Sequence, residues 1–365
     1  MSAGLPTLLI GSYTATGGGN GTGISLVDGG PAGVLPTPRT VAVLDDPSFL
    51  AVSGDRVYAV SEKNDGGVSA FRLQGGALEH LWDATAGGDA PCHVRVDPSG
   101  ALVVTNYVSG TVAAIPLAVA ESHAASVTAS DGVVLHGEAD QRSVPADAVT
   151  VVVLPDATGP DEDRQDGPHA HQSVATPDGT VLVADLGGDA LHEFRIVVDT
   201  EGRAGDTVLE PLRVHHVEPG TGPRHMAWYD GDLFVAGELD GRVHRLRRDD
   251  SGSFRTVTTA ATFDGEVGES LLSHIEVDDA GRVYVAVRGR DLLVVLDASD
   301  GGLTMSASVP CGGTWPRHFA RVPGFVLVAN QMSDAVAVLP LDADGLPGGA
   351  VAQIRVGTPT CVVPL

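Results

Sequence analysis

The chain has a single lysine, Lys63, among its 22 basic residues. It has only three cysteines, Cys92, Cys311 and Cys361, and just 4% of its residues are aromatic. An odd, small set of cysteines without metal-ligand spacing excludes a disulfide framework and a structural zinc site, and fits reduced thiols in the cytoplasm. No apolar run approaches the roughly 20 residues that a membrane helix needs. The opening "MSAGLPTLLIGSYT" has no basic start and too brief an apolar stretch for a secretory signal, so a cytoplasmic protein is expected. A formal charge of −25 leaves no basic footprint for nucleic acid or an anionic membrane. With one lysine, any anion site must be built from arginine and histidine.

What the chain has in abundance is glycine (47) and proline (23), with many valines. That composition suits short strands joined by tight turns, and the first expectation is an all-β fold. Aligned against itself, the chain repeats one plan: a short apolar strand, an Asp/Gly turn, a Val-rich strand, a polar pair, a second turn and a third strand. A fixed position at the head of each unit falls on Phe49, His93, His171, His225, His274 and His318, and then on Cys361. The spacings are 44, 78, 54, 49, 44 and 43 residues. A period near 45 with three or four strands per unit is the signature of a β-propeller. The terminal "GTPTCVVPL" offers only the first strand of a seventh unit, and "TLLIGSYTATGGGNGTGISLVD" near the start looks like its second and third. The expected architecture is therefore a seven-bladed β-propeller, one domain over residues 1–365, closed by N- and C-terminal strands that share a blade. The 78-residue interval holds a departure at about 118–166. Within it "VPADAVTVVVLP" is the candidate outer strand of the third blade, and the rest reads as a long loop and a candidate lid.

Inner strands of a propeller bring equivalent positions into a circle at one mouth of the channel. The position before the fixed one reads Ser48, Cys92, Ala170, Arg224, Ser273, Arg317 and Thr360. A second column, at the end of the next strand, reads Tyr13, Lys63, Tyr107, Leu186, Glu238, Arg288 and Gln331. A histidine that recurs can serve to tie blades together, and for His93, His225, His274 and His318 that role weighs at least as much as a catalytic one. Departures toward charge need another reason: Arg224 and Arg317 replace small residues, Glu238 and Arg288 interrupt the second column, and His169 stands where other blades have Pro. Arginines beside a carboxylate and imidazoles suit a small anionic, oxygen-rich substrate, with Arg holding anionic oxygens and His or Glu accepting a proton from water. No nucleophile elbow, P-loop or His-Glu-x-x-His motif stands in a credible setting.

The motifs "PCHVRVDPSG", "RQDGPHAH", "GPRHMAW" followed by "GEL", "SHIEVDDAGRVYVAVRG", "WPRHFA" followed by "VANQMSD", and "GTPTCVV" span nearly the whole chain. In that order they resemble the propeller-type 6-phosphogluconolactonases, a seven-bladed lactonase family related to a fungal carboxymuconate lactonizing enzyme. The resemblance implies hydrolysis of 6-phospho-D-glucono-1,5-lactone to 6-phosphogluconate in the oxidative pentose phosphate pathway. No cofactor and no metal is expected, since no paired His and carboxylate spacing demands one; a metal-dependent lactonase with the histidines as ligands is a further variant. The resemblance also implies a site at His171, Arg224, Glu238 and Arg288, with Arg290 as the alternative to Arg288 in "VRGRD". Substrate contacts are expected from His169, Arg317, His225, His318 and Gln331. Either His171 or Glu238 would activate water. A lactonase or lactonizing enzyme for another sugar or carboxymuconate lactone, and a non-catalytic binding propeller, are the rival readings.

Overall fold

The computed structural model describes residues 4–31, 37–130, 142–198 and 207–365, with no side-chain detail for 127–130. Seven four-stranded antiparallel sheets follow one another along the chain. Blade 2 opens with Leu50–Ser53, blade 3 with Pro91–Val96, blade 4 with Ala170–Ala175, blade 5 with Pro223–Tyr229, blade 6 with Leu271–Val277 and blade 7 with Pro316–Val322. These first strands pack on one another around the axis. Blade 1 takes its innermost strand from the C terminus, Pro359–Pro364, and its other three from Leu8–Ser12, Ile24–Val27 and Arg39–Ala42. The closure expected from the sequence is thus present: Leu8 pairs with Pro364 and Ile10 with Val362. Leu8, Ile10 and Val362 bury against Ala329, Val336 and Val338 of blade 7, so the seam is sealed by apolar packing as well as by the ladder.

The second strands of the blades are almost wholly buried, as in Ala101–Asn106 and Asp232–Gly237. Sheets stacked on both faces need apolar residues at every position, which is why these segments read as Val-rich runs rather than alternating ones. The innermost strands carry a recurring irregularity. In blade 5, Pro223 pairs with Gly237 and Met226 with Val235, so three steps on one strand face two on the other. Equivalent bulges fall between Pro91 and His93, Ala170 and Ser173, Leu272 and Ile275, and Pro316 and His318. A bulge breaks the in-out alternation and re-aims side chains. It is what lets two consecutive residues, such as Arg224 and His225, both serve the centre of the ring.

The long departure after blade 3 resolves into separate parts. "VPADAVTVVVLP" does supply the outer strand, Thr150–Val153, paired with Thr111–Pro116. The loop expected before it is corrected in its first section, where Leu117–Ser130 forms a helix. Ala120 is buried in the core of blades 2 and 3, and Glu121 meets Arg56 Nε at 3.0 Å. Ala, Leu and Glu favour the helix, and its contact with blade 2 stabilises it. Residues 131–141 of the departure lie outside the described residues. The section from 155 to 168 runs back toward the axis.

Candidate active site

A cavity of about 220 Å³ opens at one mouth of the channel. Its walls are Tyr13, Glu62, Tyr107, Glu238 and Arg288 from the ends of second strands, Cys92, His171, Arg224 and Arg317 from the innermost strands, and Arg164 from the loop before blade 4. Both columns expected from the sequence therefore converge here.

Glu238 anchors one wall. Its Oε2 lies 2.9 Å from Arg224 Nε and 2.8 Å from Arg288 Nη2, and its Oε1 accepts from Arg164 Nη2 at 2.6 Å. Burial pushes its carboxyl upward, but Arg288, Arg224 and Arg164 outweigh it and hold the group at about 2. Glu238 is ionised and a weak base. The guanidiniums are fixed in turn: Arg224 donates to Ser273 O at 2.7 Å and Arg288 to Leu272 O at 2.9 Å. Burial, then repulsion from Arg288, lowers Arg224 to about 9, and burial lowers Arg288 as well. Trp315 lies with its ring 5.4 Å from the Arg288 guanidinium. Its φ of +63° puts a bulky residue in the left-handed region. Asp46, Ala90, Gly222 and Thr358 adopt the same region before the equivalent prolines, so the conformation belongs to the repeat and not to catalysis. Gly222 is required there for a second reason, because a Cβ would sit 2.5 Å from the Leu239 side chain.

The facing wall is Tyr13, Glu62 and Arg317. Tyr13 donates its phenol hydrogen to Glu62 Oε1 at 2.7 Å and accepts from Arg317 Nη2 at 2.7 Å. His171 lies between the walls, buried, with Nδ1 3.9 Å from Cys92 Sγ. Among the described residues its Nε2 has no hydrogen-bond partner. Burial, followed by the charges of Arg224, Arg317 and Arg288, drives the imidazole far below its usual range and keeps it neutral. Burial also pushes the Cys92 thiol up to about 12, so it is not a nucleophile.

Beneath the cavity the channel is filled by the remaining fixed positions. His225 and His274 share a hydrogen bond between their Nδ1 atoms at 2.8 Å, and His274 stacks on His318 with ring centroids 4.0 Å apart. Phe49 packs on His93 at 4.5 Å. His225 and His318 are thus placed in this plug and not on the cavity wall. His169 also lies off the wall: it stacks flat on Tyr107 at 4.5 Å, with Nδ1 2.9 Å from Tyr107 O and Nε2 3.0 Å from Asp166 Oδ1. Gln331 does not line the cavity, although its column position matches that of Glu238. Arg290 turns outward to Glu269 at 2.7 Å, which leaves Arg288 as the arginine of the pocket.

Two residues went unrecognised in the sequence. Lys63 does not occupy the second column; it pairs with Asp45 on the surface at 3.2 Å, and Glu62, which directly follows the strand Arg56–Ser61, takes the place. Arg164 sits outside the repeat and had no register to reveal it. Its loop is pinned by the buried Gln165, which donates to Leu186 O at 2.9 Å and accepts from the Asp161 N–H.

Among the described residues no group of three His, Cys, Asp or Glu side chains is arranged to hold a metal ion. The donors that converge on the cavity are guanidiniums, which suit anionic oxygens rather than a cation. No described helix is long and apolar enough to cross a membrane.

A seven-bladed propeller with a guanidinium-lined pocket over a histidine plug is the class that fold and site define. The chain belongs to the seven-bladed β-propeller lactonase family, whose model matches residues 7–364. It is 31% identical over 345 residues to a 6-phosphogluconolactonase of Bacillus subtilis, covering 90% of each chain. Among solved structures it resembles a putative 6-phosphogluconolactonase of Bacteroides fragilis, with a TM-score of 0.82 and 27% identity over 99% of this chain and 98% of that one. It also resembles a periplasmic gluconolactonase of Pseudomonas aeruginosa, with a TM-score of 0.78 and 25% identity over 99% of both chains. Family membership and these relatives support lactone hydrolysis as the class of activity.

Proposed function

We propose that the protein hydrolyses 6-phospho-D-glucono-1,5-lactone to 6-phosphogluconate, a reaction of the oxidative pentose phosphate pathway in the cytoplasm. The observation that carries this reading is the charge of the cavity. Four arginines (164, 224, 288 and 317) meet two carboxylates (62 and 238). A pocket with two excess positive charges, in a chain of net charge −25, matches a phosphate dianion.

In this reading His171 is the base and Glu238 the organiser of arginines. Both oxygens of Glu238 are engaged by guanidiniums, whereas among the described residues His171 keeps a free Nε2 for a water molecule. Burial is the first cause of the low basicity of His171; bound phosphate would offset the second, the charges of Arg224, Arg317 and Arg288, and so raise that basicity when substrate is present. His171 takes a proton as water attacks the lactone carbonyl. Arg224 or Arg288 stabilises the oxyanion. The ring C–O bond then breaks, and the proton returns to the departing ring oxygen. No metal or cofactor enters this scheme.

The test is the rate of opening of freshly generated 6-phosphogluconolactone, corrected for spontaneous hydrolysis, with and without a chelator. Enzyme-dependent opening that survives chelation is expected; absence of acceleration overturns the reading. The Pseudomonas relative favours a second reading, hydrolysis of unphosphorylated gluconolactone. Higher kcat/KM on the unphosphorylated lactone would favour it.

A further inference from the structure

Glu62 and Glu238 directly follow the second strands of blades 2 and 5, at the same point of the repeat. Two blades lie between them one way round the ring and three the other, which sets the two carboxylates on opposite walls. Their surroundings differ. Both oxygens of Glu238 are taken by guanidiniums within 3 Å. Glu62 accepts one short hydrogen bond, from Tyr13, and its closest approach to Arg317 is 3.4 Å. Its side chain is 15% exposed, against 2% for Glu238. Burial raises the Tyr13 phenol, which therefore stays protonated and holds Glu62 in place by donation.

Arginine donates and never accepts, so the guanidiniums can hold phosphate and carbonyl oxygens but cannot take a hydroxyl hydrogen. We propose that Glu62, held by Tyr13, is the acceptor for the sugar-ring hydroxyls of the lactone, and that it sets the preference for polyhydroxylated substrates. A charged acceptor forms the stronger kind of hydrogen bond with a hydroxyl. The same charge repels a lactone that carries a carboxylate in that position, such as a carboxymuconate lactone. The inference rests on the lactonase reading above and adds a residue and a substrate class to it.

The test uses the full chain with Glu62→Gln and Tyr13→Phe, each checked by thermal melting. For Glu62→Gln, KM for 6-phosphogluconolactone should rise roughly tenfold or more while kcat stays within about threefold. Inorganic phosphate, which has no sugar hydroxyls, should inhibit this variant at least as well as the parent, because a negative charge has left the cavity. Tyr13→Phe should raise KM in the same direction by less. An unchanged KM, or phosphate inhibition that weakens in step with KM, overturns the assignment and leaves the lactonase reading intact. A parent protein that does not open the lactone sinks both.

Discussion

The plug and the pocket are built from neighbouring residues of one repeat, yet they obey opposite rules. In the plug the repeat is kept: His93, His225, His274 and His318 stack and pair with one another and are buried and neutral. One residue earlier in blades 5 and 7 the repeat is broken by Arg224 and Arg317, and the broken positions meet at the cavity. Sameness around the ring serves packing, because each blade must present the same surface to the next. Departure serves chemistry, since a substrate is not sevenfold symmetric. His171 alone belongs to both, as a ring histidine that faces the cavity.

The sharpest way to break this comparison is to truncate one residue of each kind. Arg224→Ala should lower kcat/KM about 10²- to 10³-fold, the scale of losing one oxyanion donor. Its melting temperature should fall little, because Glu238 keeps Arg164 and Arg288 and water can fill the opened cavity. Glu238→Gln should be as damaging to activity, since it leaves three guanidiniums without the charge that gathers them. His274→Leu should do the reverse. It leaves His225 Nδ1 without its partner and costs about 1–3 kcal/mol of stability, while kcat/KM stays within a few-fold. Steady-state kinetics beside urea or thermal melts separate the two outcomes. If Arg224→Ala unfolds the protein and His274→Leu abolishes turnover, the division between plug and pocket is wrong.

The plug also makes a prediction about acid. Burial holds His93, His171, His225 and His318 well below their ordinary range, and burial with the charge of Arg224 brings His274 to about 3. An unfolded histidine titrates near 6.5. Below that pH the unfolded chain binds protons that the native chain refuses, so stability falls as pH drops from about 6.5 toward 3. Each histidine contributes up to about 1.4 kcal/mol per pH unit in that window. Glu238 acts lower: its stabilisation is present above about 4.5 and is lost as pH falls through about 2. Melting temperatures should therefore decline between pH 6.5 and 5, before the carboxylates titrate. His274→Leu should flatten that slope by one histidine's share. A melting temperature constant from pH 7.5 to 5 would show that the ring histidines are not held neutral.

The same division explains what could be read from the sequence. The blades, their closure, and the meeting of His171, Arg224, Glu238, Arg288 and Arg317 all follow from register, and register survives in the spacing of apolar runs. Errors arose where register was lost or shifted. One residue of slip put Lys63 in place of Glu62, and in a strand one residue changes the face. His169 stands beside a fixed position, but its ring turns onto Tyr107 and both its nitrogens are engaged, which no spacing could show. The helix Leu117–Ser130 has no apolar stripe of helical period, and its stability comes from contacts with blade 2.

Arg164 gives the smallest expected effect and the finest test of the comparison, because it reaches the cavity without belonging to the repeat. Its side chain is 34% exposed, while Arg224 at the same carboxylate is 3% exposed. Solvent screens an exposed pair, so its bond to Glu238 contributes less than that of the buried arginines. The bond also engages an oxygen that Arg224 and Arg288 leave free, so its removal does not disperse them. Arg164→Ala should therefore raise KM roughly tenfold through the loss of one positive charge facing the substrate, with kcat within about threefold. Higher salt should shrink the difference from the parent, since an exposed charge is screened. A fall in kcat as large as that of Arg224→Ala would mean that the loop, and not the inner strands, assembles the reacting centre.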